Sequence, residues 1–265
     1  MAAITAPTLA SETIAHLGAF ELRNTLLMAW LAVGLLTVLS LLARQTGYKL
    51  IPGRFQALLE MIVEGLFDFF DSVVQNPTVT RRFFPMVATM FLFLLVGNWM
   101  GILPGVGSIT ILGEHEGHVI ALPLFRSMNA DVNMTLAFAI LTIAVAQVTG
   151  LVTLGAGAHI TKYLVPPWRQ PYGIGTFVGF LELISEFARI VSFTFRLFGN
   201  IFAGEVLLLV ISALVPYVVP IPFLGLELFV GFVQALVFTM LTLVFLKMAM
   251  TGHGEHESHA KAAHA

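Results

Sequence analysis

Apolar runs near twenty residues long recur along the chain, and three of them, Thr25–Ala43, Phe83–Leu103 and Met134–Leu154, contain no Asp, Glu, Lys or Arg. At 1.5 Å per residue, about twenty helical residues cross a hydrocarbon layer of roughly 30 Å. Spanning segments of this length are helices and not barrel strands, because a helix satisfies its own backbone groups in lipid. From Tyr172 to about Leu214 the helical pattern continues with little interruption. A helix of that length is roughly 60 Å long, twice the hydrocarbon thickness, so it tilts, bends or projects. The proline-rich PYVVPIP from Pro216 to Pro222 turns the chain into a last apolar helix, Phe223–Met250. The last two helices then form a hairpin.

Phe55–Gln75 has a different pattern. Glu60, Glu64, Asp68 and Asp71 recur every three or four residues on an otherwise apolar segment, which places one acidic stripe on one helix face. Four acids in the bilayer core would cost several kcal/mol each on insertion scales, so this helix is expected to lie in the interface. The fold class expected is an all-α polytopic membrane protein, with about five transmembrane helices, one interfacial amphipathic helix and a long tilted C-terminal helical hairpin. It reads as a single membrane domain, 1–265: an N-terminal outer segment (1–24), a first span (25–43), the interfacial helix (55–75), second and third spans (83–154), the long hairpin (172–250) and a flexible tail (251–265).

Charge orients this arrangement. Arg44, Lys49, Arg54, Arg81, Arg82, Lys162, Arg169 and Lys247 collect on one side, against Arg23 and Arg126 on the other. The positive-inside rule then puts the N-terminus outside and the C-terminus in the cytoplasm. Met1–Leu17 holds Glu12 and no Lys or Arg, so no cleaved secretory leader is expected. The His-rich tail from Gly252 reads as a solvated terminus and not as a metal site.

Composition narrows the classes further. Of 265 residues 58% are hydrophobic and 11% charged, with a mean hydropathy of +0.92, far from the mix of soluble domains. A formal net charge of -2 provides no basic field for nucleic acid. With no cysteine, thiol chemistry and thiolate metal sites are excluded. No cofactor site is expected. EHEGH at Glu114–His118 lacks the HExxH spacing of a metalloprotease and lies in a loop.

The polar residues of the long segment carry the functional signal. Glu182, Ser185, Glu186, Arg189, Ser192, Arg196 and Asn200 recur at three- or four-residue spacing, Ser185 and Glu186 being adjacent, so they share a face. Inside a membrane such a face points at protein or water, since an ionised side chain in lipid costs at least about 2.5–3.5 kcal/mol. Glu182 or Glu186 can offset Arg189. Arg196 has no acid at that spacing, and its guanidinium stays charged, so its partner is expected on another helix or another subunit. Glu205 lies nine residues on, about 180° around the helix, and serves a different surface. Glu227 and Gln234 share a face of the last helix, which the hairpin can turn toward the preceding one.

Four stretches, RLFGNIFAGE (Arg196–Glu205), ADVNMTLA (Ala130–Ala137), GNWMGILPG (Gly97–Gly105) and QALVFTMLTLVFL from Gln234, resemble subunit a of the rotary F-type ATP synthase. The resemblance extends from about Thr25 to Met250. It implies a non-catalytic stator channel of the membrane sector that conducts protons through two offset half-channels to and from a rotating c-ring. Partners implied are the c-ring, the peripheral-stalk b subunits and membrane lipid, within a hetero-oligomeric complex in a bacterial plasma membrane. By position, Arg196 matches the family's essential arginine and Asn200 lies in the same motif. Glu205 and Glu227 match the paired ionisable positions of the outer half-channel, and Gln234 the glutamine beside the arginine. Glu182, Arg189 and Ser192 match polar positions toward the inner half-channel; Asn98, Asp131 and Asn133 match polar positions of preceding helices. The best-known bacterial members carry histidine where this chain has Glu227. A self-contained secondary transporter is the rival reading, and the chain lacks the visible inverted repeats such transporters use.

Overall fold

The structure, a computed structural model, describes residues 11–17, 20–45, 53–103, 105–106, 109–115, 118–155, 157, 163 and 174–250. Lys49, Glu116, Lys162, Arg169 and the His-rich tail lie outside them. The chain enters as a short antiparallel hairpin of β1 (Thr13–Leu17) and β2 (Phe20–Arg23) and passes into α1 (Asn24–Gln45). Then come α2 (Arg54–Val74), α3 (Pro77–Ile102), a second hairpin of β3 (Thr110–His115) and β4 (His118–Pro123), and a 3-10 turn at Met128–Ala130. The chain continues through α4 (Val132–Leu154), the 41-residue α5 (Ile174–Leu214) and α6 (Pro220–Met250). Five helices, all but α2, are long and apolar enough to cross a membrane. The protein is all-α in class; the two small hairpins are additions that the hydropathy pattern does not reveal.

Local chemistry explains the joints. The α2–α3 connection is very tight: Gln75 takes a left-handed φ of 53° and returns its N–H to Asp71 O, a way of ending a helix usually left to glycine. Asn76 then caps α3 by accepting from Val79 N, and Pro77 supplies the first helical residue, where a missing N–H costs nothing. α3 therefore starts at Pro77, with Arg81 and Arg82 inside its first turns. Asp71 is not simply solvated, since its Oδ1 accepts from Thr80 Oγ1 at 2.8 Å. Glu60, Glu64 and Asp68 of the same stripe are exposed. Lys247, in the last turn of α6, donates to Val74 O at 2.5 Å and ties α2 to the hairpin.

α3, α4, α5 and α6 pack around one core that includes Phe83, Val87, Phe91 and Leu94 of α3, Phe193 and Leu197 of α5, and Phe238 and Leu243 of α6. Phe193 meets the Phe238 ring edge-on at 4.8 Å between centroids, a preferred aromatic geometry. Two glycines bring α3 against the 3-10 turn. A side chain at Gly97 would collide with Met128, and one at Gly101 would lie 2.5 Å from Ser127 Cβ. That close approach places the polar residues following Pro123 against the ends of α3 and α5.

Candidate functional site

The first polar group lies where α5, α6 and the segment before the 3-10 turn meet. Arg126 is buried, and its guanidinium donates Nε to Glu205 Oε1 at 3.0 Å and Nη2 to Glu205 Oε2 at 3.1 Å. The two-pronged geometry is the strong form of an Arg–carboxylate pair. Glu227 of α6 is 6% exposed and points at α5 where Gly204 stands. A Cβ added at Gly204 would fall on the Glu227 carboxyl group. Glu227 is also within electrostatic reach of Glu205. The set holds two carboxyls and one fixed positive charge, so one proton can be taken up or released at Glu227 while the Arg126–Glu205 pair stays intact.

Next to it runs a chain of amides. Asn129 Nδ2 donates to Asn98 Oδ1 at 2.6 Å, and Asn98 Nδ2 donates to Gly231 O at 2.9 Å. One turn on from Gly231, Gln234 Oε1 accepts from Asn200 Nδ2 at 2.7 Å. Asn98, Asn129 and Gln234 are buried. Ser127 Oγ, Asn129 Oδ1 and Gln234 Nε2 have no partner among the described residues. Groups of this kind cost about 1–3 kcal/mol each when unmet and are normally satisfied by water. The amide chain thus links the end of α3, the 3-10 turn and α6 to Asn200 of α5.

A second ion-pair group lies nearer the start of α5. Arg189 Nη1 donates to Glu186 Oε1 at 2.8 Å, Nη2 lies 4.0 Å from Glu182 Oε1, and the guanidinium sits 4.9 Å over the Phe245 ring. Tyr163 donates to Glu186 at 3.3 Å and to Gln147 at 3.0 Å. Arg189 is fully engaged.

Arg196 is not. It is exposed, and among the described residues its Nη2 hydrogen-bonds only to Ser192 Oγ, at 3.4 Å. Among the described residues no carboxylate forms an ion pair with it. Its neighbours one turn away are Ser192, Phe193, Gly199 and Asn200, so it continues the polar stripe of α5, while the exposed Phe195 and Phe187 point elsewhere around the helix.

Asp131 and Asn133 occupy a different place. Asp131 is buried and caps α4 by accepting from Asn133 N at 2.9 Å, while its Oδ2 accepts from Ser11 Oγ at 2.5 Å and Thr25 Oγ1 at 3.1 Å. Asn133 is exposed and donates back to Asp131. Both anchor α4 to the N-terminal segment and make no contact with Glu205 or Glu227 among the described residues.

Arg126, Gly204 and Asn129 were not singled out by the sequence. Arg126 in particular reads as an outer-loop charge, whereas the structure buries it against Glu205. The usable signals were an arginine directly after the apolar LPLF and a glycine directly before Glu205.

A profile of the family described as ATP synthase A chain matches residues 26–247. The chain is 30% identical over 226 residues to the ATP synthase subunit a of Geotalea daltonii, covering 84% of this chain and 86% of that one. It is 30% identical over 241 residues to the subunit a of Moorella thermoacetica, covering 91% and 96%, and 35% identical over 204 residues to that of Desulfotalea psychrophila, covering 76% and 74%. With five membrane-length helices inside the matched region, the chain is a multi-pass membrane protein belonging to the ATP synthase A chain family.

Proposed function

We propose that this chain is the stator subunit a of an F-type ATP synthase, conducting protons through two half-channels to and from a c-ring and coupling their flow to rotation and ATP synthesis. The observation that carries the reading is Arg196, exposed on the polar face of α5 and without an ion-pair partner among the described residues. A guanidinium cannot shed its charge, and facing lipid costs at least about 2.5–3.5 kcal/mol. The same chain engages Arg126 and Arg189 with its own glutamates. A protein surface bearing a carboxylate is the cover that removes this cost, and a c-ring with one acid per subunit presents such a surface repeatedly. Arg196 attracts each passing ring carboxylate and repels a cation leaking straight between the half-channels. It acts as a gate and not as a carrier.

The Glu205–Glu227 group with the amides of Asn98, Asn200 and Gln234 suits the outer half-channel, and its three orphaned polar atoms suit water. Glu182, Arg189 and Ser192 suit the inner one. Asp131 and Asn133 hold the scaffold. The chain makes no covalent bond in this role; catalysis belongs to the attached head. Peripheral-stalk b subunits hold the chain against rotation in a bacterial plasma membrane, and the distribution of Lys and Arg supports an N-terminus outside and a C-terminus in the cytoplasm.

The test is ATP-driven acidification of inverted vesicles bearing the whole complex with Arg196→Ala. Pumping is expected to vanish while the complex still assembles. Undiminished pumping by the assembled variant refutes the gate.

A further inference from the structure

The buried residues of α1, namely Asn24, Thr25, Met28, Ala29 and Ala32, all fall in its first half. From Val33 to Gln45 every residue is exposed except the half-buried Leu36 and Ala43. The helix is therefore packed at its start and stands away from its neighbours beyond. The result is an open groove of about 500 Å³ between residues 33–41 of α1, residues 86–93 of α3, and Phe138 and Leu141 of α4. It lies at membrane depth, since all three helices are of spanning length.

Its walls are suited to hydrocarbon. The hydroxyls of Thr37 and Thr89 are turned back onto their own helices, donating to Val33 O at 2.7 Å and to Pro85 O at 2.8 Å. The volume falls in the roughly 300–1,000 Å³ range of small-molecule sites.

One mouth of the groove is basic. The 3-10 turn contacts both the start of α1 and the end of α3, so the two helices run antiparallel and the end of α1 lies beside the start of α3. Arg44 is one turn beyond Ser40 and Leu41, and Arg82 one turn before Met86, so both extend the groove-lining faces at the same mouth. Both are exposed.

We infer that this groove is a binding site for an anionic phospholipid, with an acyl chain between α1 and α3 and the headgroup phosphate at Arg44 and Arg82. Bound there, the lipid fills the wedge and fixes the free half of α1. The inference does not depend on the ion-transport reading.

To test it, the purified intact complex is reconstituted into phosphatidylcholine vesicles containing a trace of phosphatidylglycerol with a photoreactive group on its acyl chain. Labelled peptides are mapped, and a matched phosphatidylcholine probe is run in parallel. Each basic residue near an anionic lipid contributes about a fivefold preference, so two predict roughly thirtyfold for the anionic probe in the groove. That preference is expected to fall to near unity in Arg44→Gln/Arg82→Gln, with Leu31 and Val38, exposed on another face of α1, labelled equally by both probes throughout. Equal groove labelling by both probes in the unaltered complex means bulk lipid only and overturns the site. Absence of groove labelling means that another subunit fills it and overturns it equally.

Discussion

Gly204 of α5 leaves the space that the carboxyl of Glu227 occupies. The three atoms nearest an added Cβ are Oε1, Oε2 and Cδ of Glu227. Gly204→Ala therefore makes a clash that can be relieved in one main way, by swinging the carboxyl of Glu227 off α5. Overpacking a well-packed site costs about 1–3 kcal/mol when the neighbour is rigid; here the neighbour is the end of a flexible side chain, so the fold loses little. The penalty falls on the position of Glu227. If 1–3 kcal/mol is added to the proton-transfer step, the rate falls by roughly five- to 150-fold. The assay is ATP-driven acidification of inverted vesicles, normalised to assembled complex, with thermal melting of the complex measured in parallel. Melting should change little and pumping should fall. Because aspartate is one methylene shorter, Gly204→Ala/Glu227→Asp should pump better than Gly204→Ala alone. Normal pumping by Gly204→Ala, or a double variant no better than the single, refutes the argument that Gly204 exists to seat Glu227.

Two further substitutions separate transport from scaffold. Arg126→Gln leaves Glu205 without its guanidinium; since the Glu205 side chain is 30% exposed, the loss should be about 2–3 kcal/mol, below the 3–5 of a fully buried pair, seen as a lower melting temperature together with weakened pumping. Asp131→Ala removes a helix cap and the acceptor for two hydroxyls, with an expected cost of about 2–4 kcal/mol in melting and a residual pumping rate that follows the amount of complex assembled. If Asp131→Ala instead stops pumping without any change in melting, Asp131 belongs to the ion path.

The spanning helices were legible because twenty uncharged residues have few other fates. Thr25–Ala43 lies within α1, and Met134–Leu154 within α4. The helix starts were less so. α3 begins at Pro77 and not Phe83 because Asn76 and Pro77 form a cap, a local signal that hydropathy ignores. α6 likewise begins at Pro220, within the proline-rich turn, because proline is tolerated in a first turn. The hairpins β1–β2 and β3–β4 are too short for their alternation to stand out. At the candidate site, the spacing of Arg189 from Glu182 and Glu186 was readable along one helix. The Arg126–Glu205 pair was not, because 79 residues separate its members and only the packing of Gly97 and Gly101 on the 3-10 turn brings them together.

The three membrane-level arginines can now be weighed against each other. Arg189 and Arg126 show that this fold supplies carboxylates where its own cations need them: two glutamates and an aromatic ring for the first, a two-pronged glutamate for the second. Arg196 sits seven residues beyond Arg189 on the same helix face and, among the described residues, donates only to the Ser192 hydroxyl at 3.4 Å. Its neighbours one turn away on that face are Ser192 and Asn200, neither of them a carboxylate. Glu205, the nearest acid in sequence beyond it, is turned to the opposite side of α5 and engaged by Arg126. Nine residues from Arg196, Glu205 lies about 180° around the helix and offers it no pairing. The charge of Arg196 therefore remains available to a carboxylate arriving from outside the chain.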